Sequence, residues 1–200
     1  MIVRRFIVPV FAAMVVGGAC GGDPPPPPPP PADTGPNMDS LRAYQDSVRA
    51  ADEARRRAEA AAAAERAAAA ERERAVAAAR TTLEAMVFFD YDQSGIRDDA
   101  AALLRQKVAI LRASPQVRLR IEGHADERGS TEYNLALGNR RAESVRQFLT
   151  GFGLGADRFE IVSFGEGRPL QQGSNEAAWS RNRRGQFVIT AGATAINPAE

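Results

Sequence analysis

The sequence predicts an α+β domain: a two-layer α/β sandwich with a mixed sheet and helices on one face, preceded by a long Ala/Arg/Glu helix and a proline-rich linker. Three observations carry this. Between residues 86 and 191, short apolar or alternating runs take turns with helical patterns in the order βαβαβ(α)β, the signature of a sheet covered by helices. Residues 39–85 are almost all Ala, Arg and Glu, with no Gly or Pro, so they favour helix strongly. Pro24–Pro31 is an unbroken run of eight prolines, which cannot join a helix or a sheet and extends as polyproline.

Taken in order, Arg4 and Arg5 precede an apolar stretch from Phe6 to Val16, and Gly17-Gly18-Ala19 leads to Cys20. A positive start, a short apolar centre and small residues before a cleavage point form a secretory signal over residues 1–19, too short to serve as a stable membrane span. Residues 20–38 are a linker. Residues 39–85 form a helical spacer of ~65–70 Å at 1.5 Å per residue. Opposite charges four apart, such as Asp52 with Arg56 and Arg55 with Glu59, support it, and Ser40 or Asp39 can cap its start. Leu41, Tyr44, Val48, Val76 and Leu83 are its few large apolar residues. Alanine fills the interval, so the helix reads as solvated and single, with weak self-association as the alternative.

Within residues 86–191, Met86–Phe89 is a strand candidate and Asp90-Tyr91-Asp92 the turn after it. Ile96, Ala100, Leu103, Leu104, Val108 and Leu111 have helical spacing, with Asp98 and Asp99 suited to the first turn. Val117, Leu119 and Ile121 alternate with Arg118, Arg120 and Glu122 as a half-buried strand. Glu122–Gly129 is a polar loop holding the only histidine, His124. Ser130 or Thr131 caps a second helix, whose buried stripe reads as Leu135, Gly138, Ala142, Val145 and Leu149. A strand follows at Phe159–Phe164, then a loop, a short helix at Asn175–Asn182 with Trp179 packing inward, and a last strand at Gln186–Thr190. Arg183-Arg184 reads as an exposed basic pair, and residues 192–200 as a tail.

Net charge is +1, so no strong field points to nucleic acid. One cysteine excludes an internal disulfide, and one histidine with one distant cysteine cannot build a metal centre. His124, Asp126 and Ser130 could suggest a hydrolytic triad, but all three lie on one short loop with no site for an oxyanion. No cofactor is expected.

Phe89-Asp90-Tyr91-Asp92, Glu122-Gly123-His124-Ala125-Asp126-Glu127-Arg128-Gly129, the helix pattern Asn134, Leu137, Gly138, Arg141, Ala142, Val145 and Leu149, then Ile161–Gly165 and Asn182-Arg183-Arg184 follow in order. Together they resemble the OmpA-like C-terminal domain family, in the form carried by peptidoglycan-associated lipoproteins. The first twenty residues resemble a bacterial lipoprotein signal, although Gly17 stands where that signal usually has an aliphatic residue. The resemblance implies an outer-membrane protein held by lipid on Cys20 at the periplasmic face, with ordinary cleavage after Ala19 as the alternative.

It further implies non-covalent binding of peptidoglycan through diaminopimelate of the stem peptide, tethering outer membrane to wall. TolB and other Tol proteins are the implied partners. Asp126 and Arg141 are the implied ligands of the diaminopimelate ammonium and carboxylate. Asp92, Arg128, Asn134, Leu137 and the backbone of Gly123, His124 and Ala125 are expected around them. A structural salt bridge between Asp126 and Arg141, and a peptidoglycan-active hydrolase, are the competing readings. Cys20→Ser is expected to leave the protein soluble in the periplasm. Membrane fractionation checks this, and continued membrane association of the variant would count against lipidation.

Overall fold

The computed structural model describes residues 37–198. The signal, Cys20 and the proline run lie outside the described residues. The chain divides into compact units at Ala54/Arg55. The described part of the first is the opening of helix α1 (Met38–Glu84), almost wholly exposed. Its cap is not Ser40 or Asp39 but Asn37, whose side chain accepts from the Asp39 amide at 3.1 Å. A cap must sit outside the first helical turn to reach its amides. Arg55 pairs with Glu59 at 3.9 Å, as expected of charges four apart.

The second unit holds the rest of α1, then β1 (Val87–Phe88), α2 (Asp98–Ala113), β2 (Arg118–His124), α3 (Thr131–Gly151), β3 (Phe159–Gly165), α4 (Glu176–Asn182) and β4 (Arg184–Ala191). The sheet order is β1-β4-β2-β3, with β2 parallel to β3 and β4 antiparallel to both β1 and β2. The expected α+β class and mixed sheet are both present. Leu119, Ile121 and Phe187 face the helices and meet Leu104, Leu111, Val145 and Leu149 in the core. Each such side chain contributes roughly 1.5–3 kcal/mol by leaving water.

Helix α1 enters this core with Leu83, which is fully buried. The chain's single lysine, Lys107 on α2, fixes that junction. Its ammonium donates to the carbonyls of Thr82, Leu83 and Ala85, each at 2.7 Å, and lies 3.8 Å from the centre of the Phe187 ring. These carbonyls end a helix and have no helical donors of their own, so a buried cation satisfies them. Burial pulls the Lys107 pKa down to about 7, with Glu84 opposing.

Ser130 caps α3 by accepting from the Tyr133 amide at 3.2 Å. The buried stripe of α3 differs from the expected one: Leu135 is exposed, and Asn134, Leu137 and Arg141 are buried with Gly138, Ala142, Val145 and Leu149. The helical period was right, but its start is polar because this end of α3 faces loops rather than the core. Gly138 sets the depth of packing. A Cβ at Gly123 would lie 1.8 Å from the Gly138 carbonyl oxygen, and one at Gly138 would lie 2.4 Å from Ser163 Oγ. The backbones of β2 and α3 therefore touch, which presses Asn134, Leu137 and Arg141 against the end of β2. Gly123→Ala is expected to cost about 3 kcal/mol, the upper range for overpacking against backbone. A denaturant midpoint that does not move would overturn this account.

Candidate functional site

The turn after β1, the loop after β2 and the first turns of α3 converge on a cavity of about 100 Å³. Tyr91, Asp92, Asp126, Arg128, Tyr133, Asn134 and Leu137 line it. Five residues expected at the site are thus brought together: Asp92, Asp126, Arg128, Asn134 and Leu137. Asp92 reaches it from a left-handed backbone conformation, φ 53°, which Asp tolerates better than most residues. Its carboxylate accepts from the Tyr133 hydroxyl. Asn134 donates to the Arg128 carbonyl and to Glu166.

Asp126 is the most heavily engaged carboxylate here. Arg128 donates to it from Nε at 3.1 Å, from Nη2 at 2.7 Å and from its backbone amide at 3.1 Å. Arg183 adds a contact at 3.3 Å. Burial alone would raise the Asp126 pKa, but the hydrogen bonds from Arg128 and Arg183 outweigh it and hold the carboxyl below its ordinary value. The Arg128 guanidinium is sandwiched between the Tyr91 and Trp179 rings, at 3.9 and 4.1 Å. Trp179 is fixed in turn by its indole N–H, which donates to Glu127 at 3.0 Å. It is half-buried against Arg128 instead of entering the core.

Arg141 does not line the cavity. It is fully buried and donates from Nε to the Gln93 carbonyl at 2.8 Å, from Nη1 to that of His124 at 2.7 Å and from Nη2 to that of Asp90 at 3.0 Å. Burial lowers its pKa to about 10, so it stays charged at neutral pH. No direct Asp126–Arg141 salt bridge forms, because the Arg141 nitrogens are turned to carbonyls. The backbone of Gly123, His124 and Ala125 is also absent from the cavity wall. Gly123 packs on Gly138, the His124 carbonyl accepts from Arg141, and the Ala125 amide donates to Gly165 at 2.8 Å.

Arg183 and Arg184 are buried, not an exposed pair. Arg183 joins the site: besides Asp126 it donates to Glu176 at 2.6 Å and to the Phe89 carbonyl at 3.1 Å. Sequence spacing gave no sign of this, since Asp126 and Arg183 lie far apart in the chain and meet only through the β2–β4 pairing. The presence of Asn182-Arg183-Arg184 among the family motifs was the available signal.

The sequence profile of the OmpA family matches residues 88–183. The peptidoglycan-associated lipoprotein of Brucella melitensis is 46% identical over 103 residues, covering 52% of this chain and 61% of that protein. That of Haemophilus influenzae is 43% identical over 98 residues, covering 49% and 64%. The crystal structure of the peptidoglycan-associated lipoprotein from Burkholderia pseudomallei aligns at 44% identity and TM-score 0.52, covering 52% of this chain and 89% of that one. The chain spans between three fifths and two thirds of the length of these two curated relatives.

The His124 ring does not line the cavity; it is stacked on Phe164 with centroids 5.5 Å apart. Neither ring nitrogen has a hydrogen-bond partner among the described residues. Burial, then the charges of Arg184 and Arg168, lower its pKa to about 4 from 6.5, with Glu122 4.0 Å away. The unfolded chain takes up this proton below pH 6.5 and the native protein only near pH 4. The stability tied to neutral His124 is therefore present above pH 6.5 and lost as pH falls through 4, up to about 3 kcal/mol. Urea titrations of the wild type and His124→Phe are expected to show a stability difference that changes over this window; a constant difference would refute the assignment.

Proposed function

The chain belongs to the OmpA family, and on that premise we propose that it is a lipid-anchored outer-membrane protein that binds peptidoglycan non-covalently through diaminopimelate. The observation that carries this reading is the Asp126–Arg128 pair at the wall of a small cavity. Diaminopimelate ends in a zwitterion, with an ammonium and a carboxylate on one carbon. Its receptor needs an anion and a cation a few ångströms apart, and Asp126 and Arg128 supply both. In the structure they neutralise each other. On binding, the ligand ammonium takes Asp126, and Arg128 turns to the ligand carboxylate while remaining between Tyr91 and Trp179. Asp92 and Asn134 offer further polar contacts, and Leu137 packs against the methylene chain.

Arg141 retains two of its five N–H bonds outside its three carbonyl contacts, and the family resemblance assigns it to the same ligand. In this reading it supplies positive potential from beneath the site and holds the loops that form it. Cys20 carries the lipid, residues 20–38 and helix α1 span the gap, and the domain grips the wall. A part in the Tol–Pal system, with TolB as a contact, and in envelope integrity during division follows from the same resemblance. The protein is a binding protein, not an enzyme. A hydrolase working through His124 would need that ring at the cavity, and it is stacked on Phe164 instead; the Asp126 carboxylate is committed to Arg128 and Arg183.

Asp126→Asn is expected to lower retention on purified sacculi at least about tenfold, the loss of one charge-assisted contact, while thermal melting still shows a folded domain. Retention equal to wild type would sink the proposal. Arg141→Ala should behave differently. It strips donors from three loop carbonyls, and the expected cost is about 3 kcal/mol or more of fold stability. A variant melting like wild type would show that those carbonyl contacts do not hold the loops.

A further inference from the structure

A second cavity, of about 230 Å³, lies on the other side of Arg183. Phe88 and Phe89 from β1 and the turn after it, Arg97 and Asp99 from the start of α2, and Arg181 and Arg183 from the end of α4 line it. Arg183 connects the two cavities, since the guanidinium that borders the second also donates to Asp126 in the first. Arg183 therefore lies between Asp126 of the first cavity and the aromatic wall of the second.

The charges around the two cavities are almost all committed inside the protein. Arg97 is bound to Asp90 at 3.2 Å and to Asp99 at 3.0 Å. Arg128 and Arg183 are bound to Asp126 and approach Glu176. Arg141 is held by its three carbonyls. Arg181 is the exception. It is exposed, and among the described residues it has no carboxylate or carbonyl partner; its guanidinium leans over the Phe88 ring at 5.9 Å. The second cavity thus joins an aromatic wall to one uncommitted cation. That combination suits a carboxylate borne on a short apolar or peptide backbone, not an ammonium and not an uncharged sugar.

We propose that this cavity is a subsite for a second carboxylate of the same acidic peptide, with Arg181 as its receptor. The inference rests on the peptidoglycan reading above. If the zwitterionic end of diaminopimelate occupies the first cavity and its other carboxyl is in amide linkage, the next free carboxylate on the stem is the α-carboxylate of the preceding γ-linked D-glutamate. The protein then reads two acidic positions of the stem, and the second depends on whether that carboxylate is free or amidated.

Calorimetric titration of the protein with three probes tests this: free meso-diaminopimelate, the tripeptide L-Ala-γ-D-Glu-meso-diaminopimelate with the in-chain carboxyl of diaminopimelate amidated, and the same tripeptide with the glutamate α-carboxylate amidated as well. The wild type is expected to bind the free-acid tripeptide about fivefold more tightly than the amide, the scale of an exposed ion pair. Arg181→Gln should remove that preference, Arg181→Lys should keep part of it, and neither should change the affinity for free diaminopimelate. Equal affinity of the wild type for the two tripeptides would overturn the inference, and so would a preference that survives in Arg181→Gln. Both results leave the first cavity's role standing. Failure of every probe to bind, or indifference of their binding to Asp126→Asn, would instead remove the peptidoglycan reading and this subsite with it.

Discussion

A single buried guanidinium holds the site together. Arg141 is the largest fully buried side chain in the protein's described residues, and it is spent on three backbone carbonyls from two different loops. Two belong to the turn after β1, at Asp90 and Gln93; the third is His124 at the end of β2. The Asp90 carbonyl also accepts from the Gln93 amide at 3.2 Å, and leaving buried carbonyls unmet is costly. A planar group with five donors can serve several diverging carbonyls at once, which an ammonium on a flexible stem does less well. The close contact of Gly123 with Gly138 brings α3 near enough for Arg141 to do this. Loop positions, and hence the spacing of Asp92 and Asp126, follow from that contact.

The charges at the wall of the first cavity neutralise one another. Asp126 already holds two arginines, so a ligand ammonium gains only the difference between its own contact and the one it displaces. That favours discrimination over tight binding. On the proposed reading, a lone amine would displace Arg128 and leave the guanidinium to Glu176 and solvent, whereas a zwitterion would offer Arg128 a new carboxylate. The aromatic rings on either side of Arg128 keep it in place during the exchange, since stacking does not depend on which anion the guanidinium edge meets.

Much of the fold was legible in the sequence because periodicity reports which face of an element meets the core. The strand at Phe159–Phe164 and the helices fall where the patterns put them, while β2 runs on to His124 and takes in the first three residues read as loop. Periodicity failed where burial is polar. Leu135 looked like part of the α3 stripe and is exposed, while Asn134 and Arg141, polar in type, lie on the buried side. Arg183-Arg184 failed for the same reason: a basic pair reads as solvent-facing unless its distant partners are known. Asp126, Asp92 and Arg128 were legible through motif and not through spacing, and the Tyr91–Arg128–Trp179 stack was not legible at all, being assembled from three separate segments.

Lys107 closes the account at the other end of the domain. Every other basic residue in the chain apart from His124 is arginine, and the one side-chain amine is sealed beneath the last turn of α1, with no exposed area. Among the described residues the surface therefore presents guanidinium groups only, which resist acylation under conditions where an amine reacts. Among the described residues the folded domain offers no exposed side-chain amine for isopeptide formation or for amine-directed cross-linkers. Labelling of that one side-chain amine by an acylating reagent would mark the moment α1 comes away.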